Sequence, residues 1–282
     1  MAGGEDFAGA VRRLADDIRQ RVDREQRGVP TFADHVWLAL VAHLEHDEAR
    51  DPQERDAVEG LTRMVARRDE GRLVDYDTRA QGAGRHGARD IGYFEMVTSQ
   101  GETACLRWKG MPLFKTVYDF SLYPMLLWEL RPATIIELGS GLGTSALWLA
   151  DVAAAFALEL RLYSVALLRP PLRDDRITFI EGDCEAIDSA LPEAMLRELP
   201  HPWIVIEDAH VNVHGILRHL HPFLTSGDYL IVEDSDGKQD ELRHFLARRR
   251  GCYKVDTYYT DFFGRNATSA QDSILVRTET DS

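Results

Sequence analysis

Cysteine, positive charge and long apolar runs are all scarce in this chain of 282 residues. Its three cysteines, Cys105, Cys184 and Cys252, stand far apart and form no C-x-x-C pair. An odd number of widely spaced cysteines predicts no disulfide framework and favours a reducing compartment. The charge is one-sided, because 33 lysines and arginines face 47 acidic residues and leave a net charge of −14. Repulsion from phosphates therefore argues against a nucleic-acid partner and against an anionic membrane surface.

No stretch of the chain resembles a segment that enters a membrane. The first residues, "MAGGEDFAGAVRRLADD", lack the apolar core of a secretion signal. Nowhere do apolar residues continue for the ~18 positions that a membrane-spanning helix needs. We therefore expect no membrane partner and a cytoplasmic location.

The first 70 residues carry apolar side chains at helical spacing, with charged residues between them. Phe7, Val11 and Leu14 belong to one such stripe, and Pro30 separates it from the next. This pattern predicts a helical N-terminal extension over residues 1–70, which packs on the core or on another subunit. Residues 71–107 open with a Gly-rich, charged stretch, which predicts a linker, with a substrate lid as the alternative.

From residue 108 to residue 282 the chain alternates apolar strand-like segments with helical ones. Strands are predicted at 133–138, 160–165, 177–182, 203–208, 228–234, 253–259 and 273–277, and helices near 143–155, 186–199, 211–222 and 238–250. Such alternation predicts an α/β domain with a Rossmann-like sheet that is mostly parallel. Since only a loop joins the last two strands, one of them should run antiparallel.

The first strand of this domain leads into a glycine turn, in "ATIIELGSGLGTSALWLAD". Gly139, Gly141 and Gly143 alternate with other residues, and Glu137 stands two positions ahead of the first glycine. Glycines at such a turn let a ligand approach the backbone closely. This is the pattern of class I S-adenosylmethionine methyltransferases, and a tight turn without a ligand is the alternative.

The cofactor site expected from this resemblance continues along the chain. Its residues would be Glu137, Gly139, Ser140, Gly141, Thr144, Ser145 and Asp183. Asp183, in "ITFIEGDCEAI", would lie near the adenine ring, and the alternative for it is the cap of a helix. Ala166 departs from the pattern, because it stands where these enzymes usually place an acid that binds both ribose hydroxyls. Either another group serves the ribose or the cofactor binds weakly.

Two strands of the predicted sheet end in acidic residues. "WIVIEDAH" supplies Glu207, Asp208 and His210, and "YLIVEDSDG" supplies Glu233 and Asp234. Neighbouring parallel strands would bring both groups to one edge, beside the glycine turn. Converging carboxylates repel one another without a cation, and oxygen ligands suit Mg²⁺ or Ca²⁺. Solvated acids that cap the following helices are the alternative.

His210 and His214 stand four residues apart, a spacing that places two metal ligands on one helix face. With a carboxylate they would form a site for non-haem iron. The surrounding acids favour a hard cation instead.

The segments that begin at Lys109 and include "IVIEDAH" and "HPFLTSGDYLIVEDSD" resemble the cephalosporin hydroxylase family. Its members are similar to Mg²⁺-dependent methyltransferases that act on hydroxyls of macrolide sugars and rhamnose-bearing metabolites. The similarity spans roughly residues 108–277. It implies metal ligation by an Asp at the end of the fourth strand together with Glu233 and Asp234, and His210 as general base. This chain departs from the family there, because Glu207 replaces the expected Asp and Asp208 stands next to it, which leaves open which of the two binds the metal. Lys115, in "FKTVYDF", matches a family segment before the first strand and would border the cofactor, with packing or surface pairing as the alternative.

The predicted function is therefore S-adenosylmethionine-dependent, Mg²⁺-assisted O-methylation of a hydroxyl on a sugar or other small secondary metabolite, as in antibiotic biosynthesis. Mg²⁺ would lower the pKa of the hydroxyl, and an imidazole would accept its proton. The N-terminal helices and the resemblance both favour a homo-oligomer. The alternatives are a cofactor-binding but catalytically silent partner protein, and an enzyme of this fold that catalyses a reaction other than methyl transfer.

Overall fold

The computed structural model describes residues 71–83 and 85–278, together with Arg12, Asp16 and Gln20. Those three residues are helical and exposed, and the rest of the predicted 1–70 extension lies outside the described residues. The chain from Arg72 onward forms one compact unit. Within the described part, none of the helices has the length and apolar character needed to span a membrane.

An eight-stranded mixed sheet forms the centre of this unit. Its strands are β1 (Leu73–Val74), β4 (Thr134–Leu138), β5 (Arg161–Ala166), β6 (Ile177–Glu181), β7 (Trp203–Glu207), β8 (Tyr229–Val232), β9 (Tyr253–Asp256) and β10 (Ile274–Arg277). They lie in the order β1-β9-β10-β8-β7-β4-β5-β6. Strands β4 to β8 pair in parallel, and β10 is antiparallel to both β8 and β9. The predicted mostly parallel sheet with one reversed strand is confirmed, and the two-residue β1 adds a short antiparallel edge. A separate hairpin pairs β2 (Arg107–Trp108) with β3 (Met111–Pro112).

Helices cover both faces of the sheet. They are α1 (Tyr76–Ala83), α2 (Tyr93–Thr98), α3 (Val117–Leu130), α4 (Thr144–Ala155), α5 (Ile187–Ala190), α6 (Glu193–Leu196), α7 (Val213–Leu220), α8 (Gln239–Ala247) and α9 (Thr257–Thr260). The single helix predicted near 186–199 is split, because Pro192 has no backbone N–H and disfavours helical backbone at the residue before it. Short 3₁₀ turns lie at Cys184–Ala186, His221–Phe223 and Ser235–Lys238.

Two apolar layers lie on opposite faces of the sheet, and alternate residues of each strand feed them. Ile135 packs in the layer that contains Trp148 of α4, whereas Ile136 packs in the layer that contains Phe245 of α8. The parallel strands are therefore buried on both faces, as their continuous apolar runs indicate. The same alternation decides where the polar residues at the strand ends point.

The segment 71–107, predicted as a linker, packs on the unit through a buried arginine. Arg79 is 1% exposed, and its guanidinium donates to both oxygens of Asp261 and to Asp272, each at 2.7 Å. The backbone N–H of Gly87 donates to the second oxygen of Asp272 at 2.7 Å. These bonds hold α1 against the loop that precedes β10. Whether the segment acts as a lid stays a prediction.

Replacing Arg79 by Met should lower the free energy of unfolding by about 3–5 kcal/mol, because two buried carboxylates lose their partner. Urea unfolding of the purified protein measures this change. Arg243→Met is the matched control, since Arg243 pairs with Asp240 where both side chains are exposed and the change should stay within about 1 kcal/mol. Equal effects of the two substitutions would contradict the assigned role of Arg79.

Candidate functional site

The glycine turn between β4 and α4 opens the carboxyl edge of the sheet. Gly139 has a φ of 99°, and a Cβ there would lie 2.3 Å from the carbonyl oxygen of Asp208. Gly143 has a φ of 80°, and a Cβ there would lie 3.0 Å from the ring of Phe179. Around Gly141, by contrast, the described residues place no atom within 4 Å of such a Cβ. The first and third glycines are thus required by packing, and the second faces open space.

Glu207 and Asp208 point in different directions because they are consecutive residues at the end of β7. The carboxylate of Glu207 is fully buried and accepts from Lys238 Nζ at 2.9 Å and from the Ala209 N–H at 3.0 Å. Asp208 instead lies on the side of Lys115, with 3.4 Å between its Oδ2 and Lys115 Nζ. The sequence left open which of the two acids binds a metal, and this arrangement favours Asp208.

Glu233, which follows β8, is held by a buried lysine and a buried tyrosine. Its carboxylate forms an ion pair with Lys115 and accepts from Tyr123 Oη at 2.6 Å. Burial alone would lower the pKa of Lys115, but the carboxylates of Glu233, Asp208 and Glu137 outweigh burial and raise that pKa. The ammonium of Lys115 therefore stays charged beneath the site.

Three side chains converge at the mouth of this edge: Asp208, His210 and Asp234. His210 Nε2 lies 3.2 Å from Asp208 Oδ1 and 3.4 Å from Asp234 Oδ2. One ligand atom of each residue lies within 4.8 Å of the others. Burial would raise the pKa of Asp208, but Lys115 and the hydrogen bond from His210 lower it below the usual range. The two carboxylates fit a hard divalent cation, since oxygen donors suit Mg²⁺.

A cleft of about 230 Å³ connects this cluster to the glycine turn. Its walls include Gly139 and Lys115, and also Gln100, Phe114 and Ser269, which the sequence did not single out. Phe114 lies next to Lys115 in the segment that carries the family resemblance, whereas Gln100 and Ser269 belong to loops that only the fold brings to the cleft. The cleft therefore joins the predicted cofactor turn and the predicted metal residues in one space.

Comparison with known proteins assigns this arrangement to a family. The family model described as Rhamnosyl O-methyltransferase/CmcI matches residues 101–252. The chain belongs to this family. Similar relatives include the rhamnosyl O-methyltransferase of Mycobacterium leprae (strain TN), 36% identical over 192 residues that cover 60% of this chain and 82% of the relative. The rhamnosyl O-methyltransferase of Mycobacterium bovis (strain BCG / Pasteur 1173P2) is 28% identical over 191 residues, which cover 60% and 76%.

Solved structures of CmcI are also similar to this chain. An apo structure of CmcI matches with a TM-score of 0.56 and 28% identity, over 72% of this chain and 84% of that one. A CmcI structure described as containing Mg and S-adenosylmethionine matches with a TM-score of 0.54 and 25% identity, over 75% and 99%. The family resemblance predicted from the sequence is confirmed. With it, the class of activity is confirmed: an S-adenosylmethionine-dependent O-methyltransferase that uses Mg²⁺.

Two of the residues predicted to bind the cofactor, Glu137 and Ser140, hold the glycine turn in place through hydrogen bonds. Glu137 is buried and accepts from Ser164 Oγ at 2.6 Å, and burial raises its pKa against the opposing effects of Lys115 and of the Ser145 and Ser164 hydroxyls. Ser140 Oγ donates to the Val165 carbonyl at 3.1 Å. Glu137 and Ser140 thus fix the turn to β5, and their contact with a cofactor stays a prediction.

Thr144 and Asp183 lie at the starts of the elements that follow β4 and β6. Thr144 Oγ1 is buried and has no hydrogen-bond partner among the described residues, which fits a turn that receives a ligand. Asp183 is exposed and its Oδ1 accepts from the Glu185 N–H at 2.9 Å, so it caps the 3₁₀ turn. The capping role, given as the alternative for Asp183, is present, and its contact with adenine stays a prediction.

His214 takes no part in the cluster formed by Asp208, His210 and Asp234. It lies at the start of α7, and its ring packs 4.8 Å from that of His244. His210 precedes the helix in left-handed backbone with a φ of 59°, so the two histidines do not share a helix face. The pair of histidines that an iron site would need is therefore not assembled here.

Gly139→Ala should destabilise the protein more than Gly141→Ala. Left-handed backbone alone costs an alanine about 1–2 kcal/mol at either position. At Gly139 the contact with the Asp208 backbone should add about 1–3 kcal/mol. Urea unfolding measures both variants, and calorimetry should show that Gly139→Ala also weakens binding of S-adenosylhomocysteine. Equal losses of stability would mean that the contact with Asp208 does not require glycine.

Proposed function

We propose that this enzyme transfers the methyl group of S-adenosylmethionine to a hydroxyl of a sugar or other small metabolite, with Mg²⁺ held by Asp208 and Asp234. The observation that carries this assignment is the cluster of Asp208, His210 and Asp234 directly beside the glycine turn. The turn and the cluster are in contact, because the backbone of Asp208 packs against Gly139. Methyl donor and acceptor would therefore meet in one cleft.

The metal role of Asp208 and Asp234 rests on which carboxylates are committed to close, buried ion pairs, since Asp208 lies 3.4 Å from Lys115 but also faces the cleft. Glu207 is paired with Lys238, and Glu233 is paired with Lys115. Asp208 and Asp234 instead face one imidazole at the mouth of the cleft, where Asp234 is 53% exposed. When bound there, Mg²⁺ lowers the pKa of a coordinated hydroxyl and so generates a better nucleophile.

His210 would accept the proton of the acceptor hydroxyl. Its side chain is 53% exposed, and it lines the cleft as well as a second cavity of about 430 Å³. An acceptor entering from that second cavity would reach His210 and Asp234 together. Asp208, hydrogen-bonded to the imidazole, orients the ring.

The remaining residues position the two substrates. The turn at Gly139 and Gly141 would admit the amino-acid part of the cofactor. Lys115 would lie between this part of the cofactor and the acidic residues of the site. Because the methyl sulfonium is positive and the attack neutralises charge, holding both reactants in line supplies much of the remaining catalysis.

The proposal extends to the acceptor, the cellular location and the oligomeric state of the enzyme. We infer that the acceptor is a hydroxylated secondary metabolite of the kind modified in antibiotic biosynthesis, and that the enzyme works in the cytoplasm as a homo-oligomer. The relatives that act on rhamnosyl groups, by their names, support a sugar-bearing acceptor. The three free cysteines support a reducing compartment.

Substitutions of the acidic residues should separate metal ligation from structural pairing. Asp208→Asn and Asp234→Asn should each weaken Mg²⁺ binding by at least about ten-fold, which corresponds to 1.4 kcal/mol. Glu207→Gln should leave that affinity within about three-fold, but lower the free energy of unfolding by about 1–3 kcal/mol because Lys238 loses its charged partner. Calorimetric titration of Mg²⁺ and urea unfolding provide the two measurements. If Glu207→Gln abolished metal binding and Asp208→Asn did not, the assignment of the ligands would be reversed.

Methyl transfer itself is tested with purified protein, Mg²⁺, methyl-labelled S-adenosylmethionine and a panel of hydroxylated sugars and glycosides. Label should appear in an acceptor, EDTA should suppress it, and added Mg²⁺ should restore it. His210→Gln should lower the rate by about 10²–10⁴-fold while S-adenosylhomocysteine still binds, whereas His244→Gln, outside the cluster, should leave the rate unchanged. No transfer to any hydroxylated acceptor, with EDTA without effect, would overturn the proposal.

A further inference from the structure

The end of β5 lacks the group that usually recognises the ribose of a bound nucleoside. In open α/β sheets an acidic residue beyond the glycine turn accepts hydrogen bonds from the ribose hydroxyls. Here β5 ends at Ala166, which is buried and carries only a methyl group, and Leu167 and Leu168 follow it. None of these three side chains can accept a hydrogen bond. The ribose therefore needs an acceptor from elsewhere along this edge.

The neighbouring strand places a glutamate directly beside the missing acid. Ala166 is in register with Glu181, the last residue of β6, in the parallel ladder between β5 and β6. Adjacent strands lie about 4.8 Å apart, and residues in register point to the same face of the sheet. The longer side chain of Glu181 can therefore reach toward the space above Ala166.

The face on which Glu181 emerges is the face of the glycine turn. Ser164, two residues before Ala166, hydrogen-bonds to Glu137 on that face. Phe179, two residues before Glu181, packs in the same layer as α4, and a Cβ on Gly143 would touch its ring. Glu181 thus lies at the same edge and on the same face as the turn that would hold the cofactor.

Glu181 is also available to a ligand. Its side chain is exposed and, within residues 71–83 and 85–278, forms no hydrogen bond or ion pair. The other acids nearby already have partners, because Glu137 accepts from Ser164 and one oxygen of Asp183 caps the following turn.

We propose that Glu181 takes the place of the missing acid and binds the ribose of S-adenosylmethionine, its carboxylate accepting hydrogen bonds from the two vicinal hydroxyls. This inference rests on the proposed function, since it assumes the same cofactor in the same cleft. It explains how the site keeps a ribose acceptor although β5 ends in alanine.

Calorimetric titration of S-adenosylhomocysteine tests the role of Glu181 without any need for turnover. Glu181→Gln should raise the Kd about ten-fold, because hydrogen bonds to a charged acceptor are replaced by weaker ones. Glu159→Gln is the matched control, since Glu159 is exposed and lies before β5, at the opposite end of that strand, so its Kd should not change. Thermal melting should show both variants folded.

Two further titrations distinguish a contact with the ribose from an indirect effect. The 2′-deoxy analogue of S-adenosylhomocysteine should bind the natural protein more weakly than the parent compound, and this difference should shrink in Glu181→Gln. Adding Ala166→Asp to Glu181→Gln should restore at least part of the lost affinity, by returning an acid to the end of β5.

The outcomes separate this inference from the proposed function. If the natural protein binds the cofactor and Glu181→Gln binds it equally well, the ribose assignment is wrong and the methyltransferase proposal stands. An affinity loss that is the same for the parent and the deoxy analogue would also overturn the ribose assignment. If the natural protein binds neither S-adenosylmethionine nor S-adenosylhomocysteine, both proposals fail together.

Discussion

The buried ammonium of Lys115 is the interaction on which the carboxyl edge of the sheet depends. It forms an ion pair with Glu233, lies 3.4 Å from Asp208, and is further stabilised in its charged form by Glu137. Three acids could not be buried or half-buried so close together without a cation, since an unpaired buried charge costs several kcal/mol. Because Lys115 directly precedes the capping residue of α3, it also ties that helix to the ends of β7 and β8.

The alternation of side chains along a strand then decides which acids face the cleft. Glu207 closes β7 on the face of α8, where Lys238 neutralises it, and Asp208 turns to the face of Lys115. On the proposal that Asp208 binds the metal, a glutamate at position 207 removes no ligand, because Asp208 lies on the side of the cleft. On the same proposal, Glu207 in place of the expected Asp does not indicate a silent partner protein.

Much of this arrangement could be predicted from the sequence, because its signals are local. Apolar runs predict the strands, and the spacing of Gly139, Gly141 and Gly143 predicts the turn. The pairing of Glu207 with Lys238 could not be predicted, since sequence alone does not show which lysine reaches which acid. The ion pair of Arg79 could not be predicted for the same reason, because its partner Asp261 lies 182 positions away in the sequence. The sequence around Arg79 is also rich in glycine, which predicts a linker. Trp128 of α3 is 58% exposed, because this helix carries apolar residues on more than its buried side.

The loops that carry the proposed metal ligands are held in place by the protein itself. His210 and Asp234 both have left-handed backbone, with φ of 59° and 46°, which persists only where the surroundings enforce it. Gly139 packs against the backbone of Asp208 on one side, and the ion pair between Lys238 and Glu207 joins the two loops on the other. These contacts come from the protein's own backbone and side chains, so they help to order the loops independently of a bound cation. Its affinity should then reflect mainly the charge and geometry of the ligands, with little dependence on the rest of the fold.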